Sequence, residues 1–182
     1  NNIAIQAGNK LMAFGCCYLS MECRTGKTLT ALYAADKFNA KSVLFITKLK
    51  AIPSVKSDYI ALQPSFKLEV VNFESSHKVT GKYDLVIIDE AHSLGAYPKP
   101  SKRTQEIRTI CEGLPVLYLS GTPSPESYSQ LYHQFWVCSK SPWKNYKSFY
   151  KWAKEYVYTR QKKVNGYLIN DYSCANKPKI DN

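Results

Sequence analysis

Cys17-Tyr18-Leu19-Ser20-Met21-Glu22-Cys23-Arg24-Thr25-Gly26-Lys27-Thr28 is the stretch on which the fold turns. A short apolar run ends in small and polar residues, then Gly-Lys-Thr opens a segment, Lys27 to Phe38, of helical composition. Strand, loop and helix in that order form the context a phosphate-binding loop requires. Gly26 permits a tight backbone turn against phosphate oxygens, and the helix start offers unpaired N–H groups. Lys27 adds a point charge, and the Thr28 hydroxyl can sit on Mg²⁺. The first glycine of the strict G-x-x-x-x-G-K-[ST] pattern is replaced by Met21.

Outward from this stretch the same rhythm repeats. Val43–Thr47, Leu68–Asn72, Leu85–Ile88 and Val116–Leu119 are apolar runs rich in β-branched or aromatic residues. They do not alternate strictly with polar residues, which is the pattern of parallel strands buried on both sides. Between them Ser54–Leu62, Ser101–Cys111 and Ser127–Cys138 read as helices with plausible starts. An α/β domain with a central, mainly parallel sheet covered by helices on both faces follows. From Trp143 to Tyr158, Trp143, Tyr146, Phe149, Tyr150 and Trp152 interleave with Lys144, Lys147, Lys151 and Lys154. Core anchors with solvated lysines are the stronger reading there, and a stacking nucleic-acid surface the weaker. Gln161–Ile169, with Asn165-Gly166 at its centre, reads as a hairpin.

Two more motifs carry chemistry. Leu85–Ile88 runs into Asp89-Glu90-Ala91-His92, two carboxylates at the edge of the sheet where open α/β folds bind ligands. Asp89 can hold Mg²⁺ through its water shell, and Glu90 can take a proton from an attacking water. Val116–Leu119 runs into Ser120-Gly121-Thr122-Pro123, whose hydroxyls can sense the state of the carboxylate site.

Composition bounds the alternatives. The 182 residues are 45% hydrophobic and 21% charged, the range of one ordinary globular domain. Lys and Arg number 25 against 14 Asp and Glu, a net charge of +11 that favours a polyanionic partner. No apolar run reaches the length of a membrane span, and no signal peptide is visible, so a cytosolic protein is expected. The six cysteines form no C-x-x-C pair, and they read as reduced and structural.

In this order the three motifs resemble those of the first motor domain of superfamily-two helicases and translocases, nearest the Swi/Snf-like branch with its compact phage and bacterial members. Gly26-Lys27-Thr28 looks like motif I, Asp89–His92 like motif II in its DEAH form, and Ser120–Pro123 like motif III. The likeness covers residues 3–160. It implies a RecA-like domain over residues 1–158, with 159–182 a hairpin and the start of a connection to a second RecA-like motor domain of a longer chain. It implies ATP and Mg²⁺ as cofactors and nucleic acid, DNA foremost, as partner, in bacterial cytosol or as a phage protein in a bacterial host. Arg24, Thr25, Gly26, Lys27 and Thr28 would hold the nucleotide, with Gln6 resembling an upstream glutamine that reads adenine. Thr28 and Asp89 would hold the metal, Lys27 and Glu90 would be catalytic, and His92, Ser120 and Thr122 would couple the site to its surroundings. After motifs that resemble Ia and Ib, Lys48 and Ser75 would touch nucleic acid, as would Lys99, Lys102 and Arg103 in the stretch after motif II. Motifs IV to VI have no counterpart in the sequence. Another P-loop enzyme, such as a kinase or a GTPase, is an alternative, although Asn176-Lys177-Pro178-Lys179 lacks the Asp of a guanine-reading Asn-Lys-x-Asp. A nucleic-acid-binding module without turnover is a further one.

Overall fold

In the computed structural model, residues 2–22, 25–175 and 179 are described. Five strands form one all-parallel sheet: β1 (Cys16–Ser20), β2 (Ser42–Thr47), β3 (Lys67–Asn72), β4 (Leu85–Ile88) and β5 (Val116–Ser120). Their order across the sheet is β1-β5-β4-β2-β3. The strands expected from apolar runs are all present, each within one residue at either end.

Alternation along each strand divides the core in two. Cys17, Leu19, Val43, Phe45, Leu85, Ile87, Leu117 and Leu119 point to one face. There they meet α1 (Asn2–Phe14), α2 (Lys27–Lys37) and α3 (Ile52–Leu62), through Leu11, Leu32 and Val55 among others. Leu44, Ile46, Val86, Ile88, Val116 and Tyr118 point to the other face, where Leu94, Ile107 of α4 (Lys102–Ile110) and Val137 close over them. Helices on both faces explain why the strands read as unbroken apolar runs.

Helix α1 carries no long apolar stripe. It buries Ala4, Ala7, Gly8 and Leu11, a spacing of three and four that forms one narrow face. Gly8 lies so close to α2 that a Cβ on it would stand 2.9 Å from Cβ of Lys37. The helix ends at Gly15, which takes φ +67° and donates its N–H to the Leu11 carbonyl at 2.8 Å.

Helix α4 is capped as its sequence predicts, with Ser101 Oγ accepting the Thr104 N–H. The segment expected to be helical from Ser127 begins only at Gln130, as α5 (Gln130–Trp136). Ser127 is otherwise engaged: its hydroxyl accepts from Ser129 N–H and donates to the Ser173 carbonyl. The aromatic stretch folds inward as α6 (Phe149–Tyr156), burying Phe149, Trp152 and Ala153 against Tyr132 and leaving Lys144, Lys147, Lys151 and Lys154 exposed. Beyond it β6 (Arg160–Val164) and β7 (Tyr167–Asp171) pair antiparallel about Asn165-Gly166. Both turn residues have positive φ, 47° and 85°, as a type I′ turn demands. Among the described residues the cysteines are free thiols, Cys17, Cys111 and Cys138 within the core, and no helix is long and apolar enough to cross a membrane.

His133 of α5 is buried among Tyr132, Trp136 and Phe149, and its Nδ1 lies 2.7 Å from the Ala96 carbonyl. Burial holds its pKa down to about 4 against an ordinary value of 6.5. The unfolded chain therefore binds a proton between pH 6.5 and 4 that the folded chain refuses, and stability must fall as the pH drops through that window. Urea unfolding at pH 7 and pH 4 should show a loss of up to about 3 kcal/mol attributable to this group. A His133→Gln variant should lack that share of the pH dependence.

Candidate nucleotide site

Parallel strands bring their carboxyl ends to one edge of the sheet, and the three motifs leave it from β1, β4 and β5. Register sets their relative heights. Ser20 pairs with Ser120, and Met21 N–H continues the ladder to the Ser120 carbonyl at 3.1 Å. Ile88 pairs with Tyr118, two residues before Ser120, and Asp89 and Glu90 follow directly from the end of β4. Strand β5 alone separates the loop-bearing β1 from the acidic end of β4, a gap of about 10 Å at ordinary strand spacing.

On the β1 side, Thr25 donates its hydroxyl to the Glu22 carbonyl at 2.7 Å, tightening the turn. Gly26 then takes φ 77° and ψ 30° as the residue capping α2, and its carbonyl accepts the Thr30 N–H. A Cβ there would meet nothing within 4 Å, so the demand for glycine comes from the left-handed backbone and not from crowding. Lys27 and Thr28 are the first two residues of the helix, half-buried, with no hydrogen-bond or ion-pair partner among the described residues. Arg24, expected to help hold the nucleotide, lies outside the described residues.

The acidic side is a connected set. Asp89 N–H donates to the Ile46 carbonyl, and its carboxylate accepts from Thr47 Oγ1 at 2.9 Å and from Glu90 N–H at 3.0 Å. Glu90 has φ 53°, rare for a residue with a side chain, at a cost of order 1–3 kcal/mol. That turn directs its carboxylate between two cations or potential cations: Lys48 Nζ at 3.6 Å and His92 Nε2 at 3.4 Å. The other ring nitrogen, Nδ1, is 2.9 Å from Ser120 Oγ, which in turn accepts the Thr122 N–H at 3.1 Å. With the Ser120 proton directed at Nδ1, the ring presents Nε2–H to Glu90. The expected coupling residues His92, Ser120 and Thr122 thus form one chain ending on Glu90.

Two residues not singled out from sequence hold this chain in place. Gln134 of α5 is fully buried, and its amide donates to the carbonyls of Pro123 at 2.6 Å and Gln130 at 3.0 Å. Its carbonyl accepts the Tyr18 hydroxyl at 2.7 Å, while burial pushes the Tyr18 phenol well up, so it remains a donor. Tyr18 on β1 and the Ser120–Pro123 loop are therefore tied through one amide. No local pattern shows this, since Tyr18 and Gln134 are 116 residues apart.

Other expectations separate. Gln6 is exposed on α1 and, among the described residues, has no hydrogen bond to the loop. Lys48 is largely exposed but pairs with Glu90, so it belongs to the acidic site as well as to the surface. Ser75 is half-buried in a 3₁₀ turn, Phe73–Lys78. Arg103 is engaged within the fold: it pairs with Glu74 at 2.8 Å and lies over the Phe73 ring. Lys99 and Lys102 are exposed, Lys102 at the edge of a 3.9 Å pair with Glu106.

Mg²⁺ is ordinarily held by one or two carboxylates together with substrate phosphates and water. Asp89, fixed by two hydrogen bonds, and the Thr28 hydroxyl supply a donor set of that kind. Among the described residues no cluster of three or more His, Cys, Asp or Glu forms an all-protein metal cage. No protein-family model matches the chain, and no curated protein matches it in sequence.

Replacing Gln134 by Leu keeps the volume but strands the Tyr18 hydroxyl and the Pro123 carbonyl. Destabilisation of about 1–3 kcal/mol in urea unfolding is expected. The Tyr18→Phe/Gln134→Leu double variant should lose less than the sum of the two single losses, because both remove one interaction.

Proposed function

We propose that this chain is a RecA-like motor domain that binds Mg·ATP and, joined to a second motor domain, couples ATP hydrolysis to movement on nucleic acid, DNA foremost. One observation carries the reading: the left-handed Gly26 that starts α2 with Lys27 and Thr28 stands on the same sheet edge as Asp89 and Glu90, one strand away. A helix start that offers backbone N–H groups and a lysine, at the end of a strand about 10 Å from the one that ends in two carboxylates, suits a triphosphate with its metal.

In this reading the roles follow from chemistry. The N–H groups at the start of α2 and Lys27 take up negative charge on the β- and γ-phosphates. Thr28 and Asp89 would hold Mg²⁺, which would supply further neutralisation of phosphate charge. Glu90 accepts a proton from water as the water oxygen bonds to the γ-phosphorus and the bond to the β-phosphate oxygen breaks, leaving ADP and phosphate. The φ of Glu90 and its neighbours Lys48 and His92 aim the carboxylate. His92, Ser120 and Thr122 then link its position to the loop after β5. A second motor domain would supply the cation that meets transition-state charge, worth about 10³–10⁵ in rate.

Calorimetric titration should detect Mg·ATP binding to the chain, with GTP weaker, and Lys27→Ala should remove it from the detectable range. Unchanged affinity in folded Lys27→Ala would refute the phosphate-loop assignment. Glu90→Gln should bind Mg·ATP within about twofold of the parent. In a chain that includes a second motor domain, its DNA-stimulated turnover should fall by about 10²–10⁴, the usual contribution of a general base. Survival of that turnover would assign the base elsewhere.

A further inference from the structure

The hairpin β6–β7 stands apart from both hydrophobic layers. Residues 161–170 are all exposed, and Tyr167 and Leu168 at 76% and 68% are among the most exposed large apolar side chains described. A two-stranded ribbon is marginal by itself, and the bonds that fasten this one among the described residues lie at its base. Ser127 and Ser129 donate their hydroxyls to the carbonyls of Ser173 and Tyr172, and Tyr158 N–H donates to the Cys174 carbonyl. The Tyr172 ring packs edge-on against Phe149 and Tyr150.

Cross-strand register assigns its faces. Arg160, Lys162, Val164, Tyr167, Ile169 and Asp171 share one, with Arg160 opposite Asp171, Lys162 opposite Ile169 and Val164 opposite Tyr167. This face borders a groove of about 430 Å³ whose far wall is the Gly95–Pro98 loop, beside His92. Arg160 and Lys162 share this face with Asp171, which Lys162 approaches at 3.5 Å; Lys163 lies on the opposite face, and Glu126 is the other acid lining the groove. Arg160 has no partner among the described residues.

That charge selects among occupants. Pairing β6 with β6 of a second copy would set Arg160, Lys162 and Lys163 against one another, which edge lysines discourage, and a net charge of +11 opposes self-association. A strand that carries phosphates and flat bases meets both features at once, cations for the backbone and an exposed ring for stacking.

We propose that the hairpin face of Arg160, Lys162 and Tyr167 is a binding surface for single-stranded nucleic acid, with phosphates on the two cations and a base stacked on the tyrosine. It rests on the nucleic-acid partner of the proposed function, to which it assigns a surface, and does not depend on ATP binding. Arg160, Lys162 and Tyr167 are exposed, so their variants are expected to leave the core intact, which a matching unfolding midpoint verifies.

The test is fluorescence anisotropy with labelled oligothymidylate and oligouridylate at several salt concentrations, the two arms separating DNA from RNA as the source of the strand. Tyr167→Ala should weaken binding about 10-fold and Tyr167→Trp should restore it. Arg160→Ala/Lys162→Ala should flatten the slope of log affinity against log salt by about 1.4, twice the single-strand increment of about 0.7 per phosphate. A Lys41→Ala/Lys56→Ala control, on the opposite layer, should leave the slope unchanged. Hairpin variants that bind like the parent, or a control that loses as much slope as they do, would overturn the proposal. So would a dimer in sedimentation that Tyr167→Ala dissolves while oligonucleotide binding stays the same. Mg·ATP titration of the same proteins is a separate readout: intact nucleotide binding with no hairpin effect removes this surface and leaves the nucleotide site standing.

Discussion

The parallel ladder that places β5 between β1 and β4 is the constraint on which the rest depends. Ser20 registers with Ser120 and Ile88 with Tyr118, so three motifs far apart in sequence end at one height on one edge. A one-residue slip in either pairing would turn Ser120 to the opposite face and leave His92 without its partner. The register is in turn locked by burial on both faces, because any slip would exchange the side chains that meet α1 and α2 for those that meet α4. The energetic weight therefore lies in the core residues of the two layers, and the polar residues at the edge inherit their positions from it.

Within the site, exposure separates firm interactions from replaceable ones. The Lys48–Glu90 pair has its lysine 61% exposed at 3.6 Å, so it is worth at most about 1 kcal/mol. The hydrogen bonds from Thr47 to Asp89 and from Gln134 to Pro123 lie at or below the edge, with Thr47 and Gln134 themselves buried, and removing either side would leave a buried group unpaired. Asp89 is consequently rigid. Glu90, one residue on, is set by backbone strain and by two neighbours, Lys48 and His92, that water can reach. A fixed carboxylate therefore stands beside an adjustable one.

Much of this was legible because it is local. Continuous apolar runs marked every strand of the main sheet, Asn165-Gly166 marked the hairpin turn, and Gly26-Lys27-Thr28 announced the helix start. What stayed hidden depends on pairings across the chain. Helix α1 escaped because its buried face is made of Ala4, Ala7 and Gly8, whose value lies in close approach to α2 and not in apolar bulk. Ser127 resembled a helix cap until Ser173, 46 residues on, took its hydroxyl. Arg103 pairs with Glu74, 29 residues earlier, a partner that no local pattern shows. Gln134 had no signature at all, since a buried amide is recognised only by its partners.

The loop Gly95–Pro98 joins these observations into one geometry. It follows the 3₁₀ turn that bears His92, its Ala96 carbonyl meets the imidazole of buried His133, and Gly95 packs so tightly on Gln130 that a Cβ would come within 2.9 Å of it. Gln130 also accepts the Glu126 N–H and receives Gln134 on its carbonyl. One face of α5 thus braces the segment after the acidic motif, the loop after β5 and, through Ser127 and Ser129 just before it, the base of the hairpin. A displacement of α5 would shift all three together. The helix that lacked any motif is therefore the mechanical link between the carboxylates and the surface on which the hairpin stands.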